Sequence, residues 1–115
     1  MKTIIAGSRT IIDLELLEKA IELSCFEITE VFSGCASGVD TLGENWAIKN
    51  NISIRKFPAD WDKHGKKAGI LRNIQMGDEA DALIAIWDGV SRGTKHMIDY
   101  ATKKNLKVYV YTKTI

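Results

Sequence analysis

Cysteine, histidine and proline are scarce in this chain, and charge of one sign does not accumulate. Two cysteines, two histidines and one proline serve 115 residues, with a formal net charge of +1. Cys25 and Cys35 form no C-x-x-C pair and no zinc pattern, so neither a redox motif nor a structural zinc is offered and both thiols are expected to be reduced. His64 and His96 have no partner at metal-binding spacing, and no metal is expected. A charge near zero gives a weak field, which argues against tight binding of long nucleic acid through phosphate neutralisation. No apolar run is long enough to cross a bilayer. The opening MKTIIAGSRT turns polar after Ile4 to Ala6 and lacks a signal-peptide core, so the expectation is a cytoplasmic protein without a membrane partner. Repeats, low-complexity segments and linkers are missing too, and the length suits one domain over residues 1–115. There is no G-x-G-x-x-G, and DGVSRGTK is no Walker A loop because Gly93 is followed by Thr94. Both absences disfavour an NTPase or a dinucleotide dehydrogenase.

What is there is a regular alternation. Lys2 to Ala6 is short, apolar and β-branched, and stops at Gly7. Asp13 is placed to cap a helix over about residues 14 to 25, with Leu14, Leu17, Ala20, Ile21 and Ser24 on one face. Thr29 to Ser33 is a second strand. Ser37 with Asp40 resembles a capping box, opening a helix to about Asn50 that buries Leu42, Trp46 and Ile48. Ile52 to Phe57 is a third strand, closed by Pro58, and the polar loop ADWDKHGKK follows. A helix from about Lys67 to Glu79, an apolar strand from Ala82 to Trp87, a helix from Thr94 to Lys104 and a strand from Lys107 to Tyr111 complete the chain. Strand and helix alternate four times before a last strand. That order predicts an α/β fold with a parallel sheet, right-handed crossovers and helices on both faces, the all-apolar fourth strand lying centrally.

In such a sheet all strands end on one side, and ligands bind there. The first strand is followed by Gly7, Ser8 and Arg9. The second is followed by SGCASGVD, with Gly34, Ser37, Gly38 and Asp40. The third leads through PADW to Arg72 and Asn73. The fourth runs into DGVSRGT, with Asp88, Gly89, Ser91, Arg92, Gly93 and Thr94. The other ends of the strands meet plainer segments such as Lys49-Asn50-Asn51 and Lys103-Lys104-Asn105. A helix start offers unpaired N–H groups and the positive end of a dipole. Glycine lets a phosphate approach the backbone, and hydroxyls add donors. One glycine-rich turn alone reads as a tight connection with a capping hydroxyl. Two of them beside Gly7-Ser8-Arg9 point to an anion site.

Each residue has a plainer reading as well. Arg72 can fork onto a phosphate or make a surface ion pair, and Arg9 likewise. Asn73 is a helper or is solvated. Asp40 and Asp88 can hold ribose hydroxyls, and Asp88 can act as a general base. More often such residues are a helix-capping carboxylate and a turn former. Trp61 can stack on a base or cover the edge of the core, the commoner role, while Trp46 and Trp87 read as core. Cys35 reads as small buried filler rather than a reactive thiol. Lys63, Lys66 and Lys67 form a basic cluster, a solvated face that can also steer an anion.

Taken together, GSR, SGxxxGxD, PADW with AGxxRNxxM, and WDGxSRGTxxMI resemble the small YspA-type proteins. These belong to the SLOG superfamily, which also holds the LOG phosphoribohydrolases and the DNA-processing protein DprA. The likeness runs from Ile5 to Val110. It implies a Rossmann-like three-layer sandwich with strand order 3-2-1-4-5. It also implies a nucleotide or nucleotide-derived small molecule as the ligand, held by a sensor or nucleotide-processing domain without a cofactor. In LOG enzymes a Gly-Gly-x-Gly-Thr-x-x-Glu motif binds phosphate, and its Glu works with an upstream Arg to cleave an N-glycosidic bond. Gly93-Thr94 matches the Gly-Thr and Arg72 the Arg, but Met97 stands where the Glu would be and can move no proton. Arg72 and Asp88 are thus the candidates if the chain hydrolyses nucleoside monophosphates. Single-strand nucleic-acid binding, as in DprA, is a further alternative that the charge disfavours. The domain is small enough to leave helix surface uncovered, and LOG-type relatives pair through helices, so a homodimer is expected.

Overall fold

A computed structural model describes residues 1–113. The chain order is β1 (Lys2–Gly7), α1 (Leu14–Ser24), β2 (Glu30–Ser33), α2 (Val39–Lys49), β3 (Ser53–Lys56), α3 (Trp61–His64), α4 (Ala68–Glu79), β4 (Ala82–Trp87), α5 (Arg92–Lys103) and β5 (Lys107–Thr112), with a turn of 3₁₀ helix at Gly65–Lys67 between α3 and α4. The strands form one sheet in the order β3-β2-β1-β4-β5, and every pairing is parallel. This is the Rossmann-like arrangement, and the strand order reverses between β1 and β4.

The three layers follow from side-chain alternation along the two central strands. Ile4 and Leu83 are register partners and lie in one core cluster with Met76, Met97 and Ala101 from α4 and α5. Their neighbours Ile5 and Ile84, also partners, lie in the other cluster with Leu17, Ala20, Val39 and Ala47 from α1 and α2. A strand covered on both faces has no solvated side, which is why Ala82 to Ile86 are all buried and why β4 reads as an unbroken apolar run.

Local chemistry sets the helix ends. Asp13 caps α1, its Oδ1 accepting from the Glu15 amide at 3.0 Å and the Leu16 amide at 3.4 Å. We expect Asp13→Ala to lower stability by about 1 kcal/mol, read as a shift in the urea midpoint at unchanged slope. The plain segments at the far side of the sheet are helix stops. Asn51 and Asn105 both adopt left-handed φ, at 56° and 61°. In each case the following amide bonds back five residues, Ile52 to the Ala47 carbonyl and Leu106 to the Ala101 carbonyl, which is the Schellman closure.

The structure departs from the sequence-based expectation at several points. Gly38, not Ser37, is the N-cap of α2, with φ 74° and no side-chain cap bond. The Asp40 carboxylate turns back onto the Ala36 amide instead. The ADWDKHGKK loop contains the single helical turn α3. Helix α5 starts at Arg92, two residues before the expected Thr94. Strands β2 and β3 have four residues each. Ile48 is 67 % exposed, while Leu42 and Trp46 pack only partly buried against the α1–α2 side of the core.

Candidate functional site

The strand ends are drawn together by one buried serine. Ser8 follows β1 and is 1 % exposed. Its amide donates to the Ile86 carbonyl on β4. Its hydroxyl accepts from the Asp88 amide at 3.1 Å. Its carbonyl accepts from Ile11 and from Val39, the first residue of α2, both at 3.3 Å. The turns after β1 and β4 and the start of α2 are thereby fixed against each other. Gly7 permits this closeness: a Cβ there would lie 2.7 Å from Cγ2 of Val39.

Above this hub lies a cavity of about 450 Å³. Its floor is Ala6 and Gly7, and one wall is Arg9, Thr10, Ala36 and Asp40. The opposite wall is the first turn of α5, Ser91, Gly93 and Thr94, with Asp88 ahead of it. Helix α4 contributes Gly69, Arg72, Asn73 and Met76, with Met97 behind and Trp61 and Lys66 at the rim. A second lobe of about 290 Å³ lies on the β2–β3 side, lined by Gly34, Cys35, Ser37, Pro58 and Ala59, and it shares Arg9, Ala36, Trp61 and Arg72 with the first.

The first turn of α5 is built to present backbone. Asp88 Oδ1 accepts from the amides of Val90 at 2.9 Å and Ser91 at 2.8 Å. These bonds hold its carboxyl below the usual carboxylate range and close the turn, in which Gly89 takes φ 86°. Ser91 is the N-cap, but its side chain caps no helix amide. Its hydroxyl faces Thr94 Oγ1 at 3.2 Å instead. Asn73 on α4 steadies the same turn, donating from Nδ2 to the Gly93 carbonyl at 3.2 Å. The same nitrogen faces His96 Nδ1 at 3.1 Å.

Arg72 forms the partition between the lobes. Its Nη1 donates to the Gly34 carbonyl, and Gly34 has no side chain because a Cβ would sit 2.5 Å from Nη1 and 2.9 Å from the Asp40 carboxylate. Its Nε is buried without a partner. Asp40 accepts from the Ala36 amide at 3.1 Å. Burial pushes the Asp40 carboxyl above its usual range, outweighing the Ala36 amide and the Arg72 charge, which pull it down. Burial likewise lowers the Arg72 guanidinium against the pull of Asp40. For each group, desolvation outweighs the favourable charge of the other.

The structure gathers most of the residues singled out in the sequence. Gly7, Arg9, Asp40, Arg72, Asn73, Asp88, Ser91, Gly93 and Thr94 line the larger lobe, and Gly34 and Ser37 line the smaller. Ser8, Gly38, Gly89 and Arg92 line neither: the first three shape backbone, and Arg92 is exposed. Cys35 is exposed at φ 63° on the smaller lobe, not buried filler. Trp61 is 51 % exposed at the rim, so it does not serve as a lid on the core. Thr10 and Ala36 carried no signal in the sequence, and Gly69 and Met76 figured only as fixed letters of AGxxRNxxM, without a role of their own. Lys66 belonged to a basic run that reads as surface.

Among the described residues no helix is long and apolar enough to cross a membrane, and no group of His, Cys, Asp and Glu is placed to hold a metal ion. Residues 1–64 match the family model described as YspA, cpYpsA-related SLOG family. Gene 61 protein of Mycobacterium phage D29 is 39% identical over 84 residues, covering 68% of this chain and 67% of that protein. No solved structure matches significantly. The matched family segment runs from β1 through α3 and holds Gly7, Gly34, Gly38 and Asp40, with the motifs GSR, SGCASGVD and PADW in order. The chain belongs to the YspA, cpYpsA-related SLOG family.

Proposed function

We propose that the chain binds a nucleotide or nucleotide-derived ligand across the C-terminal ends of its parallel strands, with a phosphoryl group at the first turn of α5, and serves as a sensor or nucleotide-processing domain. The observation that carries this reading is Gly93. Its φ is not left-handed, and a Cβ there would meet nothing within 4 Å. Neither conformation nor packing therefore demands glycine, which is a poor helix former. It lies on the cavity wall where a helix start offers amides and positive potential. An absent side chain at that place keeps the backbone open to a close-fitting anion. Arg9, Lys66 and Arg72 line the same lobe and supply cationic partners.

Binding fits the lining better than N-glycosidic hydrolysis does. Met97, 1 % exposed, puts a thioether where the LOG-type hydrolases carry Glu. Asp88 has one oxygen committed to two amides and a lowered pKa, which makes it a weak base.

Calorimetric titration with the four common nucleoside monophosphates tests the reading. Saturable binding of at least one is expected. Gly93→Asp is expected to weaken it by about a hundredfold or more, because a carboxylate there repels phosphate at short range. The same change favours the helix start, so the melting temperature should hold or rise and lost binding cannot be put down to unfolding. Unchanged affinity in Gly93→Asp would remove the proposal.

A further inference from the structure

The second residue of α4, Gly69, is another glycine that the fold does not require. Its φ is not left-handed. A Cβ built on it would lie 3.4 Å from Cη2 of Trp61 and 3.8 Å from Nη2 of Arg72. Both are ordinary contact distances, so alanine fits, and alanine is the better helix former. The absent side chain leaves open a space bordered by the Trp61 indole on one side and the Arg72 guanidinium on the other, and all three residues line the larger lobe. Among the described residues the cation–π contacts run from Arg55 to Phe32 and Phe57, so Arg72 does not already lie on the indole. Trp61 borders both lobes of the cleft. It sits on a single helical turn with no buried residue.

We propose that the gap over Gly69 is the base subsite: a purine or pyrimidine ring stacks between Trp61 and the Arg72 guanidinium. This rests on the nucleotide reading above and adds to it the place of the ring. Tryptophan and arginine present flat faces to a base without demanding a particular hydrogen-bonding edge. The subsite therefore selects a planar heterocycle over a bare sugar phosphate more strongly than it selects one base from another. Arg72 is anchored through Nη1 to the Gly34 carbonyl, which fixes the guanidinium plane before any ring arrives.

The test compares AMP with ribose 5-phosphate, which keeps the phosphoryl group and lacks the ring. The wild-type chain is expected to bind AMP at least about tenfold more tightly than ribose 5-phosphate and to lose part of its tryptophan fluorescence on adding AMP. In Trp61→Ala the AMP affinity should fall about tenfold or more, ribose 5-phosphate affinity should stay unchanged, and the AMP-dependent quenching should disappear. Trp61→Phe should recover most of the AMP affinity, as a merely structural tryptophan would not require. Gly69→Leu, which fills the gap and leaves the indole in place, should repeat the selective loss. Equal wild-type affinities for the two compounds, or AMP affinity unmoved by both Trp61→Ala and Gly69→Leu, overturns the base subsite and leaves the phosphate site standing. Failure of the wild-type chain to bind either compound or any of the other three monophosphates overturns the nucleotide reading and this inference with it.

Discussion

Gly38→Ala is expected to lose about 4 kcal/mol or more of stability, a large part of the 5–15 kcal/mol typical of a domain. Thermal unfolding followed by circular dichroism should show a midpoint lowered by on the order of 15 °C. Two penalties coincide at this residue. Its backbone, at φ 74° and ψ −126°, lies where side chains are essentially not tolerated. In addition, a Cβ would sit 2.5 Å from the Ser8 carbonyl oxygen and press equally on the Arg9 carbonyl. The Ser8 carbonyl has little room to withdraw, because it accepts from both Ile11 and Val39. Relief would have to part the β1 turn from α2, and Ser8 also ties that turn to β4. Gly93→Ala is the control. With open space around its Cβ position and ordinary φ, it should leave the midpoint unchanged or slightly raised. Similar losses in both variants would show that Gly38 holds nothing together.

The contrast between these two glycines marks what the sequence could and could not disclose. The layer order was legible because each long element carries its own pattern: short apolar, β-branched runs in β1 and β4 and helical spacing in α1. The gathering of Gly7, Asp40, Arg72 and Gly93 at one edge was legible because a parallel sheet sends all its strand ends to the same side. Which glycine opens a site and which closes a turn was not. SGCASGVD suggested Ser37 as the cap of α2, but Gly38 takes that place, held by the Ser8 and Arg9 carbonyls roughly thirty residues away in the chain. Ser8 looked like a ligand donor by its neighbours Gly7 and Arg9, yet its hydroxyl is spent on the Asp88 amide across the strand-order reversal. Helix α3 is too short to show a period, and its one large apolar residue, Trp61, faces the cleft rather than the core. Cys35 followed the rule that small apolar residues go inside, but a left-handed φ of 63° accompanies its exposure. In each case a contact distant in sequence or an unusual dihedral prevailed over local pattern.

Arg72→Ala is expected to destabilise the chain by about 2–3 kcal/mol at pH 7.5 and by clearly less at pH 4, read from urea midpoints at the two values. Removing a cation that compensates a buried carboxylate costs about 3–5 kcal/mol when the two form a fully buried contact pair, whereas Arg72 acts on Asp40 only through its charge. Arg72 is only half-buried and borders the cavity, so the lower figure applies. The pH dependence comes from Asp40. Burial already raises its carboxyl above the usual range in the folded chain, and Arg72 is one of the influences holding it down. A raised folded-state value means that folding favours the protonated acid. Stability from this group is greatest in acid and falls as pH rises through the folded-state value. Without Arg72 that value rises further, so the variant's deficit opens between acid and neutral pH. Asp40→Asn removes the charge while its side-chain oxygen can still accept from the Ala36 amide. In the Arg72→Ala background it should therefore recover part of the loss at pH 7.5 and little at pH 4. An exposed ion pair gives neither the size nor the pH profile. A deficit that is small, or equal at both pH values, would return Arg72 to the surface role that its sequence context alone allows. The opposite outcome identifies a desolvated cation anchored on the Gly34 carbonyl within the field of Asp40, as an arginine must be if it is to meet an incoming phosphate or base without first having to be ordered.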